Sequence, residues 1–352
     1  MSEQDISAAL QQQVQGAYNS GTPLNISGSG SKAFLGNKIQ GTSIDVTGHR
    51  GIVEYDPREL VLTARSGTPL KEIEATLAEA NQMLAFEPPH FGASATLGGT
   101  IACGLSGPRR PYSGSARDFV LGCQLLNGRG VILRFGGQVM KNVAGYDVSR
   151  LMAGAYGTLG MLLEVSLKVL PRPAAGITVM RECSAAEAIS IMSALLGKPY
   201  PVDGACYHGE HLHIRISGSA QAVKEARSKI PGEVLPEADT FWLALREHQL
   251  PFFRKSGTLY RVVVKPATPP LNIEGSWLLD WGGAQRWLYS DEDVGAIRHR
   301  VTAAGGHVTV FRKQAEEVFQ PLPAPLLAIH QRLKASFDPK NIFNRGQLYA
   351  NP

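Results

Sequence analysis

Three glycine-rich segments stand out as places where backbone, rather than side chains, could do chemistry. The first, Gly28-Ser29-Gly30-Ser31-Lys32-Ala33, follows a short apolar run at residues 24–27. It formally fits G-x-G-x-x-A, but a dinucleotide-binding turn of the Rossmann type needs a helix to start there. Gly36 and Gly41 follow instead, with no amphipathic period. A loop of small residues can still hold an anion, because successive backbone N–H groups form a nest. By itself the hexamer fits an anion cradle and an ordinary surface loop equally well. The second segment, Thr96-Leu97-Gly98-Gly99-Thr100-Ile101-Ala102-Cys103-Gly104, has few side chains that fill space. It predicts close approach of backbone to a flat aromatic cofactor. Gly157-Thr158-Leu159-Gly160 repeats the theme before another apolar run.

Side chains with catalytic potential are fewer. Arg109, Arg110 and Arg117 fit either a carboxylate clamp or ordinary phosphate and surface pairing, and the second reading is preferred. His90 beside Pro88-Pro89 fits a general base or a structural hydrogen-bonding residue. Arg110 and His90 are therefore the weak catalytic candidates. His208, His211 and His213 raise a metal reading, since alternation puts 211 and 213 on one strand face; no metal is expected. The four cysteines (103, 123, 183, 206) have no CxxC spacing, so local zinc or iron–sulfur ligation is unsupported.

The elements that must position these groups read as mixed helix and strand. Residues 4–18 predict a helix, 24–27 a strand, and 52–55 and 60–64 two strands across Asp56-Pro57. A helix begins at Thr68-Pro69, with Pro at its first position. Residues 86–122 predict a long, ordered, irregular segment rich in Gly and Pro. Strands follow at 120–126 and 131–135 across Asn127-Gly128, then a short helix at 147–153 and a strand at 161–169. Pro171 and Pro173 mark a boundary. Beyond it, strands at 176–181, 211–217 and 259–264 and helices at 185–196 and 220–229 predict an α+β module. The tail has a helix at 325–336. Trp281-Gly282-Gly283 and Trp287 read as core or as a contact surface for a partner.

Composition agrees with a folded chain of about two domains: 43% hydrophobic and 18% charged residues exclude disorder. A net charge of +5 is too diffuse for nucleic acid. The opening residues lack a basic start and an apolar core, so no signal peptide is expected, and the thiols should be reduced in a cytosolic setting. Residues 151–171 contain Glu164 and Lys168 and do not read as a membrane span.

In combination and in order, PLNISGSGSKAFLG, EPPHFGASATLGGTIACGLSGPRRPYSGSARDFVLG, GYDVSRLMAGAYGTLGMLLEVSLKVLPRP and FDPKNIFNRGQL resemble the FAD-binding blocks of the vanillyl-alcohol oxidase and p-cresol methylhydroxylase (PCMH) flavoproteins. Arg345 stands where Pro is usual in the last block. PPHFGASATLGG, ACGLSGPRRP, RFGGQVMKNVAGYDVSRLM and LLDWGGAQRWL further resemble the smaller flavoprotein subunits of bacterial glycolate-oxidising complexes.

The resemblance implies an α+β fold: a two-subdomain PCMH-type FAD-binding domain at 1–173, a smaller α+β cap at 174–320, and a C-terminal segment, 321–352, returning to the FAD domain. It implies that Gly28, Ser29, Gly30, Ser31 and Lys32 wrap the FAD pyrophosphate with backbone amides. Pro89, Thr96, Gly98, Gly99, Ala102, Cys103 and Gly104 would line the diphosphate and isoalloxazine. Ser113, Gly114, Gly160 and Val165 would touch the flavin or adenosine, and Asn344 would reach the ring from the tail. The first loop has no linking His, so FAD is expected to be non-covalent, with His90 and Cys103 as the remaining attachment points. The cap lacks the His-containing metal run of related larger subunits.

The activity implied is FAD-dependent oxidation of a 2-hydroxy acid, glycolate to glyoxylate and also D-lactate. The implied partners are a larger FAD-binding subunit and an iron–sulfur subunit that feeds the quinone pool. The chain would be cytoplasmic, meeting the membrane's inner face only through that complex. The alternatives are a scaffold subunit with catalysis in a sister flavoprotein, or a free-standing flavin oxidase.

Overall fold

The computed structural model describes residues 4–137, 147–312 and 317–349. The part of the expected FAD blocks at residues 138–146 lies outside the described residues. The chain is α+β and divides into two units. One comprises Met1–Leu105, Ser115–Pro171 and Pro321–Pro352; the other comprises Ser106–Gly114 and Arg172–Gln320.

The first unit is built on a five-stranded antiparallel sheet. Its strand order is Ile52–Asp56, Val61–Arg65, Met161–Lys168, Val120–Leu126, Ile132–Gly136. The strand Met161–Lys168 occupies the middle, and Leu163, Val165 and Leu167 are fully buried. A near-continuous apolar run is what a strand covered on both faces requires. Helix Leu70–Glu79 sends Leu70, Ile73 and Leu77 inward at helical spacing. Each such burial contributes about 1.5–3 kcal/mol.

Beside this sheet, Leu24–Ser27 pairs in parallel with Thr42–Asp45. Helix Ser7–Ser20 packs Leu10 and Val14 into the same cluster as Leu24, Ile44 and Phe343. The C-terminal stretch is bound into this layer from the other end of the chain. Leu24 N–H donates to the Ile342 carbonyl (2.7 Å), and Asn344 N–H donates to the Leu24 carbonyl (3.0 Å).

The expected irregular stretch at 86–122 holds three short helices, Leu97–Cys103, Arg110–Ser113 and Ala116–Phe119. Two adjacent glycines did not prevent the first. Thr96 caps it by accepting from Gly99 N–H (3.3 Å), and Leu97 and Ile101 are fully buried, so packing outweighs the glycine penalty.

The second unit carries an eight-stranded sheet in which every pairing is antiparallel. The strand order is Glu233–Val234, Ala175–Glu182, His211–Gly218, Val202–His208, Ser276–Asp280, Gln285–Tyr289, Leu259–Val263, His307–Arg312. Helix Ala185–Leu196 starts with a capping box between Ser184 and Glu187. Sequence pattern finds three of these strands. It misses Gln285–Tyr289 because every residue of that strand is buried, Arg286 included. Arg286 stays inside by donating to the carbonyls of Gly283 (3.0 Å), Pro269 (2.9 Å) and Thr268.

Residues 106–114 fall inside the range expected for the first domain, yet they are bound within the second unit. Arg109 and Arg215 share the Asp203 carboxylate, which Ser217 also reaches. Trp281 Nε1 donates to the Gly107 carbonyl (2.9 Å), and the Arg110 guanidinium lies 4.3 Å from the Trp281 ring centre. Of the two readings of Trp281 and Trp287, the structure supports core. Trp281 and Trp287 are only 2% and 4% exposed, so their apolar area is already used inside the chain. His213 is likewise interior: it is buried and stacked on Phe241 at 4.1 Å, and burial pushes its pKa down to about 4. Among the described residues, no three His, Cys, Asp or Glu side chains are grouped to hold a metal.

Candidate functional site

The strand Leu24–Ser27 runs straight into the first glycine loop, and no helix follows. Gly30 adopts φ +76°, a conformation that Gly reaches at little cost. The N–H groups of Ser29, Gly30 and Ser31 donate to no protein acceptor among the described residues. Such a run of free amide donors can hold an anionic group.

This loop forms one wall of a cavity of about 420 Å³ in the first unit. Gly28, Ser29, Gly30, Ser31 and Lys32 contribute to that wall. Thr96, Gly98, Gly99, Ala102 and Cys103 line a second wall, on the helix Leu97–Cys103. Gly160 and Asn344 line a third side. Twelve of the residues singled out from sequence thus meet around one space, although they span positions 28 to 344.

Five do not line it. Val165 is fully buried in the five-stranded sheet. Gly104 closes the helix Leu97–Cys103 with φ +63°. Pro89 is buried beside His90, whose carbonyl accepts from Lys32 Nζ (3.2 Å). Ser113 and Gly114 belong to the second unit, where Ser113 Oγ donates to the Arg109 carbonyl (3.2 Å). The catalytic candidates also lie off the cavity lining. His90 Nε2 sits 3.1 Å from Glu74 Oε1, Arg110 stacks on Trp281, and Arg117 is exposed.

The reason for the glycines needs correcting in part. A Cβ on Gly98 would fall 2.6 Å from Ser66 Cβ, and one on Gly160 would fall 2.8 Å from Leu125 Cδ1. These two are small because protein presses on them. Gly30 meets nothing within 4 Å, and Gly99 meets only Thr96 Oγ1 at 3.2 Å. These two leave space for something else.

Sequence reading missed Ser66, Tyr156, Gln347 and the apolar side chains of Val46 and Leu162, all of which line the cavity. Only Tyr156 had a local signal, since it directly precedes the third glycine motif. Asn344 lines the cavity from the tail and is held there by both ends of its amide. Its side chain bridges two segments, accepting from Ile26 N–H (2.8 Å) and donating to the Tyr156 carbonyl (2.7 Å).

Among the described residues, the ionisable side chains on the lining are Lys32, Lys38, Cys103 and Tyr156. Burial pushes the Cys103 thiol up to about 11, so it is protonated at neutral pH. The donor set therefore combines free amides, hydroxyls and cations with apolar surface. That set fits a nucleotide cofactor with a diphosphate and aromatic ends.

Comparison with known proteins gives the class. A family model described as FAD binding domain matches residues 2–136. Solved alkyldihydroxyacetonephosphate synthase has the same fold, with a TM-score of 0.66 at 16% identity over 94% of this chain and 74% of that one. The chain is an FAD-binding flavoprotein of the oxidoreductase class. Over 348 residues, 99% of each protein, it is 53% identical to glycolate oxidase subunit GlcE of Escherichia coli (strain K12). It belongs to the family of that subunit. Shorter matches join it to a D-lactate dehydrogenase of Anaerostipes hadrus, with 34% identity over 40% of this chain and 29% of the other. Glycolate oxidase subunit GlcD of Bacillus subtilis is 35% identical over 35% of this chain and 26% of its own.

Proposed function

We propose that this chain is the smaller FAD-bearing redox subunit of a glycolate-oxidising complex, acting on glycolate and also D-lactate. Its partners are a larger FAD-binding subunit and an iron–sulfur subunit that passes electrons to quinone. The observation that carries this reading is 53% identity with GlcE over 348 residues, joined to a cavity whose loop amides have no acceptor among the described residues. FAD supplies a two-electron acceptor for hydride leaving an alcohol carbon. The amides of Ser29, Gly30 and Ser31 and the Lys32 ammonium suit its diphosphate, and the surface around Gly99, Ala102 and Cys103 suits its rings. A protonated Cys103 and a His90 held by Glu74 away from the lining support non-covalent binding.

Oxidising a hydroxy acid also needs a base for the hydroxyl proton and a cation for the carboxylate. Among the described residues the cavity's ionisable groups are two lysines, a thiol whose pKa is raised and a tyrosine, which supports a relay role with the base in the larger subunit. No helix among the described residues is long and apolar enough to cross a membrane. Attachment to the membrane's cytoplasmic face would then come through the partners.

Anaerobic titration with glycolate tests this. The purified chain should show flavin bands that bleach little alone and bleach fully when the larger subunit is co-expressed. Robust bleaching and turnover by the isolated monomer would replace this reading with a free-standing oxidase. A colourless chain that rejects added FAD would replace it with a scaffold.

A further inference from the structure

We propose that residues 345–348 form a clasp at the edge of the cavity, caught by Asn37, and that its release admits and frees FAD. This rests on the reading that the cavity holds FAD. The tail changes character at Asn344. Before it, Ile342 and Phe343 are fully buried, and their N–H groups donate to the buried Asp338 carboxylate (3.0 and 2.7 Å). Beyond it, no residue from 345 to 348 is buried. Four hydrogen bonds tie that stretch to residues 35–37. Asn37 N–H donates to the Gln347 carbonyl (2.9 Å), and Asn37 Nδ2 donates to the carbonyls of Gly346 (3.0 Å) and Leu348 (3.3 Å). Gln347 Nε2 donates to the Leu35 carbonyl (3.0 Å). Leu35, Asn37, Asn344 and Gln347 all line the cavity, so the seam between the two segments borders it.

Other walls are harder to move. Leu97 and Ile101, both fully buried, fix the helix Leu97–Cys103, and Leu35, 3% exposed, pins the chain beyond the glycine loop. Segments with few buried apolar contacts and exposed hydrogen bonds open at the least free energy. The stretch 345–348 is such a segment. Gly36 lies behind the seam with φ +80°, and a Cβ there would fall 2.6 Å from Gln347 Nε2 and 3.0 Å from the Gln347 carbonyl oxygen. Gly36 is not part of the lining, so its missing side chain makes room for the clasp rather than for a ligand. A clasp has a kinetic signature that a direct contact lacks. Weakening it raises the open fraction with and without cofactor, so entry and departure both accelerate. Losing a direct contact speeds departure alone.

The test is FAD uptake and release by the full chain, followed by flavin fluorescence. Wild-type apoprotein must first recover FAD; if it does not, the reading of the cavity falls and the clasp with it. Asn37→Ala should speed association and dissociation alike, each about fivefold, the scale of one net hydrogen bond. Gly36→Ala, which pushes on Gln347 from outside the lining, should also speed both. Hydrogen exchange of the wild-type apoprotein needs no variant. The Asn37 amide should exchange at least about tenfold faster than those of Ile342 and Phe343. The proposal is overturned by dissociation that speeds alone, by unchanged rates in either variant, or by an Asn37 amide as well protected as those of Ile342 and Phe343.

Discussion

Lys334 Nζ lies 2.7 Å from Asp338 Oδ2, one helical turn away, and both side chains are buried. Burial pulls the lysine's pKa down, while the Asp338 charge works the other way. The ammonium also donates to the Thr158 carbonyl (2.6 Å) and the Phe343 carbonyl (2.7 Å). Asp338 in turn accepts from the N–H groups of Ile342 (3.0 Å) and Phe343 (2.7 Å). All three ammonium protons are used. The pair thus fastens the tail that carries Asn344 to the loop that carries Gly157 and Gly160, two sides of the cavity.

Removing one partner leaves the other charged and buried. Lys334→Met should destabilise the protein by about 3–5 kcal/mol and lower its FAD content. Lys334→Met combined with Asp338→Leu should recover part of that loss, because the uncompensated carboxylate is gone. Urea unfolding curves and flavin-to-protein absorbance ratios check this; equal stability of Lys334→Met and wild type would refute it.

FAD should leave the protein on acid precipitation. Cys103, protonated up to about pH 11, is a poor nucleophile toward the flavin. Yellow colour should appear in the supernatant of both wild type and Cys103→Ala. A yellow pellet from wild type that turns white in Cys103→Ala would establish a thioether link instead.

The adjacent glycines should fail in different ways. Gly98→Ala drives a methyl against Ser66 and should cost about 1–3 kcal/mol of stability. Gly99→Val meets only Thr96 Oγ1, and Gly99 has ordinary helical backbone, so the fold should survive while FAD content falls sharply. Circular dichroism with flavin quantification separates the two. Fully flavinated, stable Gly99→Val would remove that position from the site.

Acid should destabilise the second unit through His213. Its folded pKa of about 4 lies below the ordinary 6.5, so the unfolded chain binds the proton first as pH falls. Stability is therefore lost between about pH 6.5 and pH 4, by up to about 3 kcal/mol, and the loss levels off below. His213→Leu should flatten that slope in pH-dependent unfolding. An unchanged slope would assign it to the other buried histidines, of which His248 is also pushed well down by burial.

What the sequence determined by itself is local. The loop at 28–32 is readable as a loop because glycine and serine spacing sets backbone conformation within a few residues, while its spacing alone fits an anion cradle and an ordinary surface loop equally well. The helix at 185–196 is readable because Ser184 and Glu187 cap it within one turn. The order of the glycine blocks carries the resemblance to the FAD-binding flavoproteins. What only the tertiary structure decided depends on residues far apart in the chain. Arg109 meets Asp203, Trp281 meets Gly107 and Lys334 meets Thr158 because sheets and the returning tail bring them together. The first two pairings hold 106–114 within the second unit, with Trp281 buried against them and Arg110 off the cavity lining. Ser66 belongs with them. Nothing adjacent to it marks it as unusual, and that its buried hydroxyl has no partner among the described residues is visible only once Leu163 and Gly98 have closed around its backbone. A hydrogen bond that is missing is a property of the packed interior, where water cannot supply one.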